Sequence, residues 1–344
     1  MIITIFNAIS HFLVDADCVA GLYSFGTNDP EFGTAVLVYN TVAFSTQCLV
    51  GLLLDRIVRQ GRRRSDAALL YGSIQACAMF VVAAASLYTF SPIITAVLLG
   101  IGNSVFHVSG GTVSLDRSKG KAAPLGIFVA LGAFGVTVGV LFPGIIDYIG
   151  LALGIAAILC FGVYRRFAVS EEMDDAPAEK HTKPQSFGPI IALTAAVAVR
   201  AIGGSAVDFT WKTGAAHALL LTLFVFLGKA LGGFVCDRLG ASKMSVPTVV
   251  ISAVLTAFFA WSMPLSLLGQ FLLNLSMPVT LWLLYRHLPD RPGLAFGLAA
   301  SALWPGALIG GLIKFTGPLQ SILIIICFLL SLGAIMYSDR YLRK

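Results

Sequence analysis

The sequence predicts an all-α integral membrane protein with twelve transmembrane helices in two pseudo-symmetric six-helix bundles. Hydrophobic residues make up 57% of its 344 positions and charged residues only 12%, and the mean hydropathy is +0.88. A chain surrounded by lipid needs such a composition, whereas a water-soluble domain does not. Each crossing takes about 20 apolar residues. Stretches of this kind lie at about 1–26, 31–54, 66–88, 91–115, 121–142, 144–164, 187–208, 214–236, 243–262, 264–285, 291–313 and 318–338.

A short motif occurs twice and indicates two homologous halves. It consists of a glycine followed, four residues later, by an Asp-Arg pair and then by further basic residues. The copies are Gly51, Asp55 and Arg56, and Gly233, Asp237 and Arg238. The two aspartates are 182 residues apart, close to half the length of the chain. Because basic residues cannot enter hydrocarbon, each copy is expected where a helix leaves the membrane.

A second set of repeats, at an offset of 171 residues, supports the same division. It relates polar and glycine positions of the fourth and fifth predicted helices to those of the tenth and eleventh. The pairs are Asn103 and Asn274, Gly126 and Gly297, Gly135 and Gly306, and Gly139 and Gly310. We therefore expect an N-terminal six-helix half at 1–164, a flexible charged linker at 165–186, and a C-terminal half at 187–344.

Charge placement predicts the orientation in the membrane. All but four of the 23 Lys and Arg residues fall at the C-terminus or in the loops after helices 2, 4, 6, 8 and 10. By the positive-inside rule, these loops and both termini are cytoplasmic in a plasma or bacterial inner membrane. The net charge of +6 then reflects topology and contact with anionic lipid, so we expect no nucleic-acid partner.

The sequence contains no motif typical of a cofactor, metal or phosphate site. Its six cysteines are single, with no CxxC pair, so we expect neither a metal site nor disulfides. Because the first apolar run already contains Asp15 and Asp17, it does not read as a cleavable signal peptide. The first helix should stay in the mature protein, and we expect that protein to be a monomer.

The first predicted helix carries three ionisable side chains, His11, Asp15 and Asp17, in the middle of a span. A carboxylate at this depth costs several kcal/mol unless it is paired, hydrated or protonated. His11 and Asp15 share a face because they are four residues apart. Asp17 is turned about 200° from Asp15 around the helix. The pattern suits a carboxylate that gains and loses a proton, and a purely structural pair is the alternative.

Two further spans carry polar residues that could contact a solute. Asn40 and Gln47 are seven residues apart in the second span, although such amides more often join helices. In the fourth span, Asn103 and His107 lie on one stripe. His107 could assist proton transfer, or it could be a neutral histidine inside the bundle.

Arg200 places a positive charge in the seventh span. At 1.5 Å per residue, it lies ~18 Å from the cytoplasmic end of its helix and Asp15 lies ~21 Å from the end of the first. Arg200 therefore either neutralises an acid of the first helix or holds an anionic group of a solute. Asn274, the repeat counterpart of Asn103, and Trp304 are further candidates for the walls of a solute site.

The repeated motif resembles the signature loop of the major facilitator superfamily. That resemblance implies two six-helix halves and a cytoplasmic latch, during alternating access, formed by the motif residues Gly51, Asp55, Arg56, Gly233, Asp237 and Arg238. The His11–Asp15 pair and the Gly-Ile-Gly-Asn…Phe-His stretch around His107 resemble the fosmidomycin-resistance branch, with Val108 where that branch has proline. The glycine pattern of the fifth helix resembles that of antiporters.

Together these features predict a secondary active transporter for a small organic solute, working by rocking of two halves around a midplane site. We expect proton coupling through Asp15, with His11 and His107 assisting and Asp17 as a further candidate, and efflux by antiport. The alternatives are an uncoupled facilitator or channel, and a membrane-embedded transferase using His11 and Asp15. The sequence leaves the identity and the charge of the solute open.

Overall fold

A computed structural model of the protein describes residues 1–59, 64–88, 91–170, 186–313 and 315–343. Twelve helices in these ranges are long and apolar enough to cross a membrane. They are α1 (Ile2–Tyr23), α2 (Phe32–Arg59), α3 (Arg64–Leu87), α4 (Pro92–Asp116), α5 (Ala123–Leu141), α6 (Ile146–Ser170), α7 (Phe187–Ser205), α8 (Gly214–Leu239), α9 (Ala241–Phe258), α10 (Met263–His287), α11 (Pro292–Leu312) and α12 (Pro318–Arg343). The predicted all-α fold with twelve apolar helices is confirmed.

Local sequence signals explain where several helices begin and end. α4 starts with Pro92, whose missing N–H costs nothing at that position, and the Ser91 hydroxyl before it accepts a hydrogen bond from the Ile94 N–H. α11 and α12 also start with proline. Gly240 separates α8 from α9 at a φ of +88°, which glycine adopts at no steric cost.

α2 departs from regular α-helical geometry at two π-helical turns, Thr41–Ser45 and Asp55–Arg59. Such turns hold an extra residue and are frequent at functional sites. The first turn lies between Asn40 and Gln47, so their seven-residue spacing no longer places them on a common stripe. Each of these two amides donates to the carbonyl four residues earlier, at 2.8 Å. Each NH2 group thus uses one hydrogen within α2, and among the described residues neither amide forms a hydrogen bond to another helix.

The chain forms two compact units. Unit 1 comprises Met1–Arg117, Leu131–Pro184 and Pro289–Gly297, and unit 2 comprises Ser118–Ala130, Gln185–Leu288 and Leu298–Lys344. In unit 1, residues of α1, α2, α3, α4 and α6 pack around the fully buried side chains of Met79, Leu99 and Phe106. In unit 2, residues of α9, α10 and α12 pack around Phe328.

The six-helix halves at 1–164 and 187–344 stay a prediction. α6 continues to Ser170, so the first residues of the predicted linker, 165–186, are helical. The reason is that apolar residues continue the run past Arg165 and Arg166. Residues 171–185, which carry most of the predicted linker, lie outside the described parts of the chain.

Close helix contacts at glycine recur along the chain. In α5, Gly135 has no room for a side chain against the Phe12 carbonyl of α1, and in α11 Gly306 has none against the Ala198 carbonyl of α7. The glycines are separated by 171 residues and their partners by 186. Glycine lets two helices approach more closely than other residues do. The repeat found in the sequence therefore has a counterpart in helix packing.

Candidate functional site

A buried cluster joins α1 and α4 in unit 1. We call His11, Asp15, Asn103 and His107 the acid–histidine cluster; none of the four is more than 6% exposed. His11 Nε2 lies 3.1 Å from Asp15 Oδ2, and Asn103 Nδ2 donates to Asp15 Oδ1 at 3.1 Å. His107 Nε2 lies 3.5 Å from Asp15 Oδ1 and 2.7 Å from His11 Nε2. Because each helix contributes residues four apart, these predicted residues meet around one carboxylate.

The hydrogen bonds of His107 determine which of its nitrogens carries a hydrogen. Its Nδ1 lies 2.9 Å from the backbone oxygen of Asn103, which can only accept, so Nδ1 is the donor and Nε2 of the neutral ring is an acceptor. The hydrogen between the two Nε2 atoms therefore belongs to His11, which can direct it to His107 or to Asp15. An additional proton on Asp15 leaves the hydrogen bond between the two histidines intact, whereas one on His107 Nε2 faces the His11 hydrogen, which must then point to Asp15 instead.

Glycines of α5 allow that helix to lie directly against the acid–histidine cluster. A Cβ atom at Gly132 would collide with His11 Nε2 and lie 2.6 Å from Asp15 Oδ2. A Cβ atom at Gly135 would collide with the Phe12 carbonyl and lie 3.0 Å from the Asp15 Cβ. From the sequence, Gly135 is a repeat position and the glycines of the fifth helix form a pattern. The structure shows that Gly132 also leaves the space that the carboxylate and imidazole occupy.

The acid–histidine cluster contains residue types that can bind a metal ion, although the sequence did not predict a metal site. One ligand atom each from His11, Asp15 and His107 lies within 4.8 Å of the others, close enough for one ion to be considered. Two imidazole nitrogens on a tetrahedral zinc, each about 2.0–2.1 Å from it, would be about 3.3 Å apart. The observed separation of 2.7 Å is instead a hydrogen-bond distance. The geometry fits a shared hydrogen better than a shared metal ion.

Asp17 faces a different helix from Asp15. It is fully buried, and the Ser86 hydroxyl of α3 donates to its Oδ2 at 2.9 Å. Its Oδ1 is enclosed and has no hydrogen-bond partner in the described chain. Two residues along an α-helix rotate the side chain by about 200°, which is why the two acids of α1 contact different neighbours.

A second buried cluster joins α7 and α10 in unit 2. We call Arg200, Ser276 and Thr280 the arginine–hydroxyl cluster. Arg200 is 6% exposed, and its Nη1 donates to Ser276 Oγ at 3.1 Å and to Thr280 Oγ1 at 3.2 Å. Ser276 interrupts α10, two residues before Pro278, which has no N–H to continue the helical hydrogen bonds. Arg200 is thus held by two neutral hydroxyl groups.

The remaining residues predicted to contact a solute belong to neither cluster. Asn40 and Asn274 each donate to a carbonyl oxygen of their own helix at 2.8 Å. Trp304 is half-buried in α11. Of the predicted solute-binding residues, only Asn103 and Arg200 are therefore part of a buried polar cluster.

The first copy of the repeated motif places a carboxylate at the start of another helix. Asp55 Oδ1 accepts from the Gly293 N–H at 2.9 Å, and Oδ2 accepts from the Leu294 N–H at 2.8 Å. These N–H groups lie in the first turn of α11, where unpaired donors and the helix dipole favour a negative charge. Gly51, one turn before Asp55, permits the approach, because a Cβ there would collide with the Gly293 carbonyl.

The second copy makes the same contacts at the start of α5. Asp237 Oδ1 accepts from the Ala122 N–H at 2.7 Å, and Oδ2 accepts from the Ala123 N–H at 3.1 Å. Gly233 has no room for a side chain against the Ala122 carbonyl. The capped residues of α5 and α11 differ by the same 171 positions as the other repeats. The sequence repeat therefore reproduces an entire helix-capping arrangement.

The motif arginines lie away from these capping contacts. Arg56 and Arg238 are exposed. Arg59, which the sequence analysis did not single out, is half-buried and forms an ion pair with Asp116 at the end of α4. Tyr71 of α3 donates to Asp55 Oδ1 at 3.4 Å, so the carboxylate also has a side-chain donor.

Several site residues were missed from the sequence. Tyr39 OH lies 3.1 Å from Asn103 Nδ2, but a tyrosine in an apolar helix resembles many interfacial anchors. Ser276 and Thr280 were missed as well, although two hydroxyls one turn apart beside an intramembrane proline are a usable signal. A separate buried network links Asn7, Gln75 and Tyr164.

Comparison with known proteins identifies the fold. No protein-family model and no curated protein sequence matches the chain. Among solved structures, the chain is similar to a Major Facilitator Superfamily transporter, FucP, in the outward conformation, with 11% identity, 98% coverage of both chains and a TM-score of 0.58. It is also similar to a variant of the E. coli fucose:proton symporter, FucP, with 12% identity, 98% coverage of both chains and a TM-score of 0.62.

A third solved structure supports the same conclusion. It is a bacterial homologue of the iron transporter ferroportin in the outward-facing state, with 15% identity, 99% of this chain and 98% of that chain covered, and a TM-score of 0.59. The similarity to the fosmidomycin-resistance branch stays a prediction. With twelve apolar helices that align over almost their whole length with these transporters, the chain has the fold of the major facilitator superfamily.

Proposed function

We propose that this protein is a secondary active transporter that moves a small organic solute across a cell membrane by alternating access. The fold supports the class of protein, because the structural neighbours are transporters. The buried polar clusters support a solute and ion pathway, because ionisable residues within membrane helices are expensive and mark such pathways. The predicted halves, 1–164 and 187–344, are the two bodies that would rock, and we propose that a monomer is sufficient.

Proton coupling through Asp15 is the central part of the proposal. The observation that carries it is the meeting of His11, Asp15 and His107, all buried and all within hydrogen-bond or ion-pair distance. A coupling group must hold a proton in one state and release it in another. The acid–histidine cluster offers two acceptors for one proton, the Asp15 carboxylate and His107 Nε2, with His11 between them. The proton can therefore move within the cluster before it leaves.

The repeated capping contacts support a latch that opens and closes during the cycle. In this proposal, Asp55 holds the start of α11 and Asp237 holds the start of α5 on the cytoplasmic side. Gly51 and Gly233 permit these close approaches, and the exposed Arg56 and Arg238 lie where they can meet anionic lipid. Each cap consists of a few hydrogen bonds and can break and re-form without disturbing the helix cores.

We propose antiport, and hence efflux, as the direction. Its support is the glycine pattern of α5, at Gly126, Gly132, Gly135 and Gly139. One structural neighbour is a fucose:proton symporter, so the opposite direction has a precedent on this fold. Sealed vesicles with the pH gradient imposed in each direction distinguish the two. Only antiport drives solute into the vesicle lumen while protons leave it.

Transport by purified protein in sealed vesicles tests the function. We expect the wild type to accumulate solute uphill when a pH gradient is imposed. Asp15→Asn keeps the size of the side chain but cannot titrate, so it should lose uphill accumulation while keeping solute binding and counterflow exchange. Full pH-driven accumulation by Asp15→Asn would contradict coupling at this residue. Solute passage by the wild type without any proton movement would instead indicate a facilitator or channel.

A further inference from the structure

We propose that Arg200 forms an oxyanion site, so that the transported solute carries a carboxylate or phosphoryl group. The inference rests on the proposed transport function and names the substrate class. The observation that carries it is a buried guanidinium in unit 2 with one edge occupied by neutral hydroxyls and, within the described residues, no protein acceptor on the opposite edge.

The occupied edge is defined by hydrogen bonds in α10. Ser276 Oγ donates to the Leu273 carbonyl at 2.7 Å, and Thr280 Oγ1 donates to the Ser276 carbonyl at 3.2 Å. Each hydroxyl therefore uses its hydrogen within α10 and presents a lone pair to Arg200 Nη1. Both hydrogens of Nη1 are thereby used, and the plane of the guanidinium is set by two contacts.

The opposite edge consists of Nε and Nη2. Across the parts of the chain that the structure describes, no hydrogen bond involves either atom, and neither is completely enclosed. Their N–H groups point in parallel from one side of the guanidinium, which is the fork that binds two oxygens of a carboxylate or phosphoryl group. A residue that is only 6% exposed therefore keeps two N–H groups that have no acceptor among the described residues.

Unit 2 offers no counter-charge that would make Arg200 structural. The sequence of this unit contains only three acidic residues, Asp208, Asp237 and Asp339. Asp237 caps α5, and Asp339 accepts from Ser242 and Arg343. Asp208 follows the end of α7, eight residues beyond Arg200. A buried charge without a partner is strongly unfavourable, and a bound oxyanion would supply the missing charge and both missing acceptors.

The chemistry of the fork selects the class of solute. A neutral amide of the same shape offers one oxygen and would place an NH2 group against a second donor, so it should be rejected. A cationic solute would be repelled. The site therefore favours oxyanions over neutral isosteres, and this preference is a property that a merely structural arginine would not confer.

Thermal unfolding of the purified full-length protein in detergent tests the site with benzoate, phenyl phosphate and the neutral benzamide, at constant ionic strength. We expect benzoate or phenyl phosphate to raise the Tm of the wild type and benzamide to leave it unchanged. Arg200→Gln should abolish the shift. Arg200→Lys keeps the charge but not the fork, so it should weaken oxyanion binding by about tenfold, the value of one hydrogen bond to a charged group. If Arg200→Gln does not fold, Arg200→Lys is the variant that tests the site. Arg165→Gln, an exposed arginine of α6, is the matched control and should behave as the wild type.

Three results of the thermal unfolding experiment would overturn the oxyanion site. They are an equal shift with benzamide, an undiminished shift in Arg200→Gln, or no shift with any oxyanion. Restoration of counterflow exchange in Arg200→Gln by adding Asp15→Asn would also overturn it, because Arg200 would then serve to neutralise the acid of α1. The test separates this inference from proton coupling: Asp15→Asn should keep the benzoate-dependent shift even though it loses pH-driven transport.

Discussion

The two buried clusters occupy related places in the sequence repeat but contain opposite chemistry. Gly135 contacts Phe12 of α1, and its repeat counterpart Gly306 contacts Ala198 of α7. When Phe12 is aligned with Ala198, Arg200 falls one position from Asp15. In α4 the cluster uses Asn103 and His107, whereas in α10 it uses two hydroxyls. One cluster can gain and lose a proton, and the other carries a permanent charge. Equivalent helix contacts thus accompany different buried polar groups in the two units.

The repeat position that lies against the acid–histidine cluster in α5 holds a different residue in α11. An offset of 171 residues relates Gly132 of α5 to Leu303 of α11. In α5, a side chain at this position would collide with His11 and contact Asp15. α11 carries a leucine at the corresponding position. The acid–histidine cluster therefore needs space that the arginine–hydroxyl cluster does not.

The largest expected effect is a separation of the two clusters by function. Asp15→Asn should remove pH-driven accumulation and keep oxyanion binding, whereas Arg200→Gln should remove oxyanion binding. The measurements are uptake into sealed vesicles under an imposed pH gradient and the benzoate-dependent change in Tm. If both variants lose both properties to the same degree, the clusters act as one site and the comparison fails.

Gly132→Ala should produce the next largest effect. The added methyl group overlaps His11 Nε2 and the Asp15 carboxylate, and overpacking of this kind costs about 1–3 kcal/mol. We expect a lower Tm and strongly reduced pH-driven transport. Gly154→Ala in α6 is the control, because its Cβ meets no atom within 4 Å. Wild-type coupling in Gly132→Ala would show that α5 does not need to lie against the cluster.

The two capping aspartates should give equal, intermediate effects, because their contacts are equivalent. Asp55→Asn and Asp237→Asn each keep one capping oxygen, but the amide NH2 group faces the second backbone N–H and cannot accept from it. The lost charge alone should weaken the closed latch by roughly two- to fivefold. We expect slower transport with nearly unchanged folding and solute affinity. Turnover and affinity measured on the same preparations check this. A defect in only one of the two variants would indicate that only one copy works as a latch.

The smallest expected effect is that of Asp17→Asn. Asn can still accept a hydrogen bond from Ser86, and the substitution removes a buried carboxylate that has only this one hydrogen-bond partner among the described residues. Transport should stay within about twofold of the wild type, and the Tm should be equal or higher. Vesicle uptake and thermal unfolding are the measurements. A loss of pH-driven uptake as complete as in Asp15→Asn would make Asp17 the coupling acid.

Much of the candidate site was accessible from the sequence because the residues involved are chemically expensive in a membrane. His11, Asp15, His107 and Arg200 stand out in apolar helices for this reason. Ser276 and Thr280 do not stand out, because a hydroxyl can bond to its own helix and is tolerated anywhere in a span. The π-helical turn that changes the register between Asn40 and Gln47 has no sequence signal that we recognised.

The sequence by itself determined the twelve apolar helices, the internal repeat and the candidate charged residues, because hydropathy and spacing are local properties of the chain. Only the tertiary structure decided that His107 of α4 meets Asp15 of α1, that Asp17 faces Ser86, and that one edge of Arg200 is held by α10. These contacts join residues about 70 to 90 positions apart. Helix rotation and close packing at glycine determine them, and neither can be read from periodicity along a single helix.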